Sequence, residues 1–178
     1  MVSNIMVSYF GLRALFVFRK LASAMVINSQ NFLEQVARRT RELRNEAGVS
    51  QDTFAAFAGV HRSLVAKVES GNRNISIETL ERLAIAAGVD AASLVSDKRI
   101  ARREEPTAQI KERVVQNIRR LRNERAYSQE KLSARAGLSR NYVALLEVSN
   151  QNIDVSSLFK LAEALDVPPS ELLVHQTI

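Results

Sequence analysis

The stretch Gln51-Asp52-Thr53-Phe54-Ala55-Ala56-Phe57-Ala58, Gly59-Val60-His61, Arg62-Ser63-Leu64-Val65-Ala66-Lys67-Val68-Glu69 joins two eight-residue runs through three residues. Ser50, just before the first run, has a side-chain oxygen that can accept from the free N–H groups of a helix's first turn. Gly59 supplies the left-handed conformation that ends a helix cheaply. The spacing therefore predicts a helix over the first run, with Phe54, Ala55 and Ala58 facing inward, and a second from Arg62 to Glu69. Val60, Val65 and Val68 take the inner side of that second unit. His61, Arg62, Ser63 and Lys67 are left on its outer face.

Working outward, Val36 and Leu43 belong to a preceding helical stripe that stops near Gly48. A fourth helix is expected from Ser76 to Ala87 on Leu80, Leu83 and Ala84, and a short fifth near Ala91 to Val95. The same pattern then recurs. Shifting the sequence by 78 positions lays Leu43-Arg44-Asn45-Glu46 on Leu121-Arg122-Asn123-Glu124 and Ser50-Gln51 on Ser128-Gln129. It also lays Ala58-Gly59 on Ala136-Gly137, Arg62 on Arg140, Glu69 on Glu147 and Asn74-Ile75 on Asn152-Ile153. Between Val36 and Val95 the shift gives 24 identities in 60 positions without a gap, as expected of two copies of one fold. The fold class read from the sequence is all-α, with two tandem five-helix units.

Composition agrees with aliphatic helical cores: 46% of the 178 residues are hydrophobic, only 6% aromatic, and there is no Trp. Without cysteine there is no disulfide framework or thiolate zinc site, and the two histidines, His61 and His175, stand far apart. No phosphate-binding glycine loop, dinucleotide fingerprint, metal-ligand cluster or nucleophile beside a base is present, so neither an enzyme nor a bound cofactor or metal is expected. The net charge of +6 is spread unevenly. Residues 1–30 carry Arg13, Arg19 and Lys20 with no acid, whereas residues 31–96 hold eight basic and eight acidic side chains. Local clustering, not the total, must therefore define a partner.

The expected organisation is an extension over 1–30, a first unit over 31–96, a charged linker over 97–109 and a second unit over 110–178. The linker, with Lys98, Arg99, Arg102, Arg103, Glu104, Glu105 and Pro106, is either a connector or an exposed helical extension with little to bury, and Thr107 is placed to cap the next helix. The apolar run Tyr9 to Phe18 is interrupted by Arg13 and too short for a membrane span, and the basic pair after it fits a secretory leader poorly. The extension is read either as an upstream start to a product beginning at Met25 or as an added packing helix. No membrane partner and a cytoplasmic location are expected.

Two short helices about a tight glycine turn can read duplex DNA when the second presents a polar, slender beginning to the major groove. His61, Arg62, Ser63 and Lys67 in the first copy, and Ser139, Arg140 and Asn141 in the second, offer side chains for base edges or phosphates. With Ser50-Gln51, Ala58-Gly59, His61-Arg62 and Glu69-Ser70-Gly71 in the first copy and Ser128-Gln129, Ala136-Gly137, Ser139-Arg140 and Glu147 in the second, each copy resembles the Cro/repressor-type (XRE-like) helix-turn-helix domain. Gly59-Val60-His61-Arg62, Glu69 to Ser76 and Leu80 to Val89 are similar to the controller proteins of restriction-modification systems.

That resemblance implies a transcriptional regulator bound to a double-stranded DNA operator. Gln51 and Gln129 fall where the family places a Gln on the DNA backbone. Asn72, Arg73 and Asn74, and Asn150, Gln151 and Asn152, fall in a loop that approaches phosphate. Arg44 with Glu69, and Arg122 with Glu147, match a structural pair between the first and third helices. The fourth and fifth helices of either copy would form a homodimer contact, and RNA polymerase is a further expected partner. The two copies would either imitate both halves of a repressor dimer or divide DNA binding from dimerisation.

The second copy departs from the first: Lys67 becomes Leu145, Gly71 becomes Ser149 and Arg73 becomes Gln151. The first copy is therefore expected to be the stronger reader. The competing reading is a protein-binding module, such as an antitoxin or anti-activator. Arg38, Arg39, Arg41, Arg119 and Arg120 read as solvated faces, His61 as a base reader or a helix cap, and Phe54, Phe57 and Phe159 as core.

Overall fold

The computed structural model describes residues 29–102, 109–149 and 151–175. Residues 1–28 of the expected extension, Pro106, Thr107 and Asn150 lie outside the described residues, while Ser29 and Gln30 belong to the first helix. The first copy contains α1 (Ser29–Glu46), α2 (Gln51–Ala58), α3 (Arg62–Glu69), α4 (Ile77–Ala86) and a 3-10 turn, Ala91–Leu94. The second repeats them as α5 (Ile110–Glu124), α6 (Gln129–Arg135), α7 (Tyr142–Val148), α8 (Val155–Ala164) and a 3-10 turn, Pro169–Leu172. No strand forms among the described residues. The all-α expectation holds.

Local chemistry sets most boundaries. Ser50 Oγ accepts from Thr53 N at 3.1 Å and Ser128 Oγ from Lys131 N at 3.1 Å, which satisfies one free donor at the start of α2 and α6. Ser76 and Asp154 do the same for α4 and α8, at 3.3 and 2.7 Å. Gly59 ends α2 at φ 61°, and its N–H reaches back to Ala55 O and Ala56 O. The inward faces meet in one continuous core that spans both copies: Phe54, Val65, Leu80 and Leu83 from the first, and Leu132, Val143, Leu158 and Leu161 from the second, all fully buried. Gln109 begins α5 without a side-chain cap.

The copies differ where the first uses glycine at helix ends. Gly48 and Gly88 have positive φ, and their counterparts Ala126 and Asp166 are held at φ 50° and 53°. A β-carbon in this region costs about 1–2 kcal/mol. Ala126→Gly is therefore expected to stabilise the protein by about 1 kcal/mol after the extra chain entropy of glycine is deducted. A thermal melt should rise by about 2–4 °C; an unchanged or lower midpoint would contradict the assignment of strain to this residue.

Three sequence expectations change. Phe57 is 64% exposed rather than core, because α2 turns only Phe54, Ala55 and Ala58 inward and the equivalent position in α6 is the solvent-facing Arg135. Arg39 is 8% exposed rather than solvated. Its Nε donates to Ser93 O at 3.3 Å while Nη1 pairs with Glu42 at 2.8 Å, so it ties α1 to the first 3-10 turn. Its counterpart Asn117 makes the same tie by donating to Leu172 O and Val174 O. Finally, the start of the charged stretch is fastened to the first copy. Asp90 N donates to Ile100 O at 2.9 Å, Ile100 N donates to Ser93 Oγ at 2.8 Å, and Arg99 meets Glu46 at 2.6 Å.

The copies pair with each other along an approximate two-fold axis. Ile77 N donates to Ile153 O and Val155 N donates to Ile75 O, both at 2.9 Å. Each bond is the other shifted by the 78-residue repeat, so the bridge Ser76 to Asp154 lies at the axis. Around it α1 packs on α8, α4 on α5, and the two 3-10 turns on each other. The two flanks are unlike in chemistry. On one, Phe32 stacks on Phe159 with centroids 4.7 Å apart. On the other, Lys111 lies 3.5 Å from Glu78, and the buried Arg113 lies 3.5 Å from Glu81 and 4.0 Å from Asp90. Pairing like copies would set Glu81 against Phe32 and Phe159 against Ile110. The unlike pairing retains both the ring stack and the ion pairs.

Candidate nucleic-acid interface

Each reading helix is anchored from behind. Arg44 forms a two-pronged bond to Glu69, Nε to Oε1 at 2.6 Å and Nη2 to Oε2 at 3.1 Å, while its Nη1 donates to Val49 O at 2.9 Å. Arg122 repeats this on Glu147 at 2.8 and 3.1 Å and on Tyr127 O at 2.9 Å. Both Glu side chains are only 3% exposed, so each carboxylate depends on this fork for its lost hydration. The structural pairing of first and third helices expected from the sequence is present in both copies. Arg41 and Arg119 add to it by donating to Glu69 O and Glu147 O, carbonyls in the last turn of each reading helix.

Burial pushes the Glu147 carboxyl up, but hydrogen bonds from Arg122 and Gln129 and the charges of Arg122 and Arg119 outweigh this and leave it below the ordinary value. A carboxyl depressed in the folded state contributes stability that is complete above its unfolded value, near 4.3, and is lost as pH falls through the lower folded value. Stability is therefore expected to drop on acidification below about pH 4.3, with Glu147→Gln losing less of its remaining stability over that interval. Parallel slopes for both proteins in pH-dependent melts would refute it.

The outer faces carry the side chains singled out in the sequence. In the first copy His61, Arg62, Ser63, Lys67, Asn72 and Arg73 are exposed together on α3 and the turn after it. His61 is the N-cap of α3: its Nδ1 accepts from Ser63 N at 3.2 Å and lies 2.8 Å from Ser63 Oγ. This fixes the ring at the tip of the helix, the capping role foreseen as one of its two readings. Arg62 stands 3.5 Å from Asp52 with both side chains mostly in solvent. In the second copy Ser139, Arg140 and Asn141 are exposed, and Arg140 holds both Glu130 oxygens at 3.0 and 3.1 Å.

The helix expected from Arg140 starts at Tyr142. Residues 139–142 close instead as a turn, with Tyr142 N donating to Ser139 O, and Asn141 makes no side-chain cap bond. Gln51 and Gln129 each donate to the buried Glu of their own copy at 2.8 Å, which presses them to the foot of the reading helix. Asn74 accepts from Ser156 N at the junction of the copies, and Asn152 accepts from Lys111 Nζ. Both bonds use only the amide oxygen, and both residues stay exposed.

One feature of the surface escapes a search for polar readers. Leu145 is 50% and Val148 87% exposed, on the outer face of α7 where α3 carries Lys67 and Ser70. In the sequence the change from Lys67 to Leu145 reads as a lost cation; the exposure of Leu145 and Val148 makes it an outward apolar stripe as well.

The sequence profile of the helix-turn-helix family, HTH_3, matches residues 41–94 and again 118–172. The chain belongs to the helix-turn-helix family, with two copies of its domain. It is 39% identical over 67 residues to the control protein C.SmaI of Serratia marcescens, a match that covers 38% of this chain and 80% of that protein. It is 42% identical over 57 residues to the uncharacterized HTH-type transcriptional regulator y4dJ of Sinorhizobium fredii, covering 32% of this chain and 74% of that one. Among solved structures, the restriction-modification controller protein C.AhdI of Aeromonas hydrophila aligns at 40% identity, 35% of this chain and 94% of that chain, with a TM-score of 0.34. Among the described residues no helix is long and apolar enough to cross a membrane and no cluster of metal-binding side chains occurs.

Proposed function

We infer that this chain, a DNA-binding transcriptional regulator, reads the two halves of one duplex operator with a single polypeptide and performs no catalysis. The observation that carries this is the reciprocal backbone pairing of residues 75–77 with 153–155. Around it the first helix of each copy packs on the fourth helix of the other and the two 3-10 turns meet, while the outer faces of α3 and α7 stay exposed. A repressor-type dimer built this way reads half-sites about one helical turn, ~34 Å, apart. Here both readers belong to one chain. Arg62 and Arg140 are the shared base readers, with His61, Ser63 and Lys67 beside one and Ser139 and Asn141 beside the other. Gln51, Gln129, Asn72 and Arg73 serve the backbone. The units run over 31–96 and 110–178, the regulator works in the cytoplasm, and the DNA-bound form presents its remaining surface to RNA polymerase.

The test is stoichiometry. A duplex with two half-sites is titrated with the full chain while the mass of the free protein and of the complex is measured. One chain per duplex, with affinity falling steeply as salt rises, is the expected outcome. Two chains per duplex would assign the pairing to separate polypeptides. Affinity for duplex DNA that is absent at low salt would overturn the reading and favour a protein-binding module.

A further inference from the structure

The two readers occupy equivalent places about the axis but offer different chemistry. Along the outer face of α3 and its C-cap stand Arg62, Ser63, Ala66, Lys67 and Ser70; along that of α7 and the turn before it stand Arg140, Asn141, Ala144, Leu145 and Val148. The arginines and alanines coincide. One flank carries an ammonium and a hydroxyl, and the other carries two exposed aliphatic side chains.

In the major groove a lysine ammonium is matched by the O6 and N7 acceptors of guanine, and an aliphatic side chain by the 5-methyl group of thymine. We propose, resting on the operator reading above, that Leu145 is a specificity-determining residue that packs against a thymine methyl where Lys67 takes a guanine in the other half-site, so that the operator is not a palindrome. Val148 extends the same apolar stripe one turn further. The symmetry of an operator mirrors the symmetry of the protein that reads it, and two identical chains cannot hold such a difference in fixed order. The unlike flanks of the junction, Phe32 on Phe159 and Glu81 with Arg113, hold it here.

The test is selection of bound sequences from a random duplex pool by the full chain, followed by replacement of the selected thymine with deoxyuridine, which removes only the methyl group. Wild type should enrich a site whose halves share the base pair under Arg62 and Arg140 and differ under Lys67 and Leu145. Loss of the methyl should weaken binding about fourfold, the effect of one buried methyl group. Leu145→Lys should enrich a more symmetric site and ignore the deoxyuridine exchange. Because Leu145 is half exposed, its melting midpoint should match wild type and separate a reading defect from a folding defect.

A selected site that is already palindromic, or wild-type affinity indifferent to the methyl, would overturn the proposal while leaving the operator reading intact. Enrichment of a single half-site would overturn both the proposal and the two-half reading, assigning the apolar stripe on α7 to a protein partner. Failure to enrich any duplex would instead bring down the operator reading beneath it.

Discussion

Glu147→Ala is expected to lower the stability of the protein by about 3–5 kcal/mol, the cost of removing one member of a buried ion pair. The carboxylate is 3% exposed and accepts from Arg122 Nε, Arg122 Nη2 and Gln129 Nε2. Its loss leaves the Arg122 guanidinium, itself mostly buried, with only the Tyr127 carbonyl. Gln129 is released from the foot of the reading helix in the same step. Glu147→Gln, which keeps the shape and one acceptor, should cost markedly less. Chemical denaturation of the three proteins decides the matter. A loss below about 1 kcal/mol for the alanine variant would mean that water takes over the arginine, and that the fork merely orients the helix.

Arg62→Ala is expected to weaken operator binding by about 1–3 kcal/mol, or roughly ten- to hundredfold, if the arginine makes a two-pronged base contact. Arg140→Ala should weaken it less. Arg62 is engaged only by a 3.5 Å approach to Asp52, whereas Arg140 must give up both oxygens of Glu130 at 3.0 and 3.1 Å before it can reach DNA. Lys67 and Arg73 also surround Arg62 with charge that the second copy lacks. Titrations of both variants at one fixed salt concentration test this, and equal losses would contradict it.

What the chain discloses by itself is the part of the structure governed by neighbours in sequence. Ser50, Gly59 and the Phe54 and Val65 stripes define α2, the turn and α3 because capping and periodicity act over only a few residues. The Arg44 and Glu69 pair follows from the family resemblance, and its repeat at Arg122 and Glu147 keeps the same spacing of 25. The candidate readers on α3 follow from the same local rules, and their exposure agrees with them.

Residue type alone misplaces Phe57 and Arg39. A phenylalanine on the solvent side of an eight-residue helix and an arginine turned under a 3-10 turn are decided by distant segments. The pairing of the copies was undetermined for a different reason: a repeat of 78 residues fits equally well to a neighbour in the same chain or in another. Only the unlike residues at equivalent places, such as Phe159 for Glu81, carry information on that choice. Leu145 belongs with them, since an outward leucine is ambiguous until its surroundings are known.

The reciprocal bond pair at residues 75–77 and 153–155 also bears on dosage. A regulator assembled from two freely diffusing subunits must first find its mate, so at low abundance the occupied fraction of its target climbs as the square of the cellular amount. Tethered halves meet at an effective concentration on the millimolar scale whatever the number of molecules in the cell. This polypeptide should therefore titrate its target with a Hill slope of one, trading a sharp threshold for a response that begins with the first copies made.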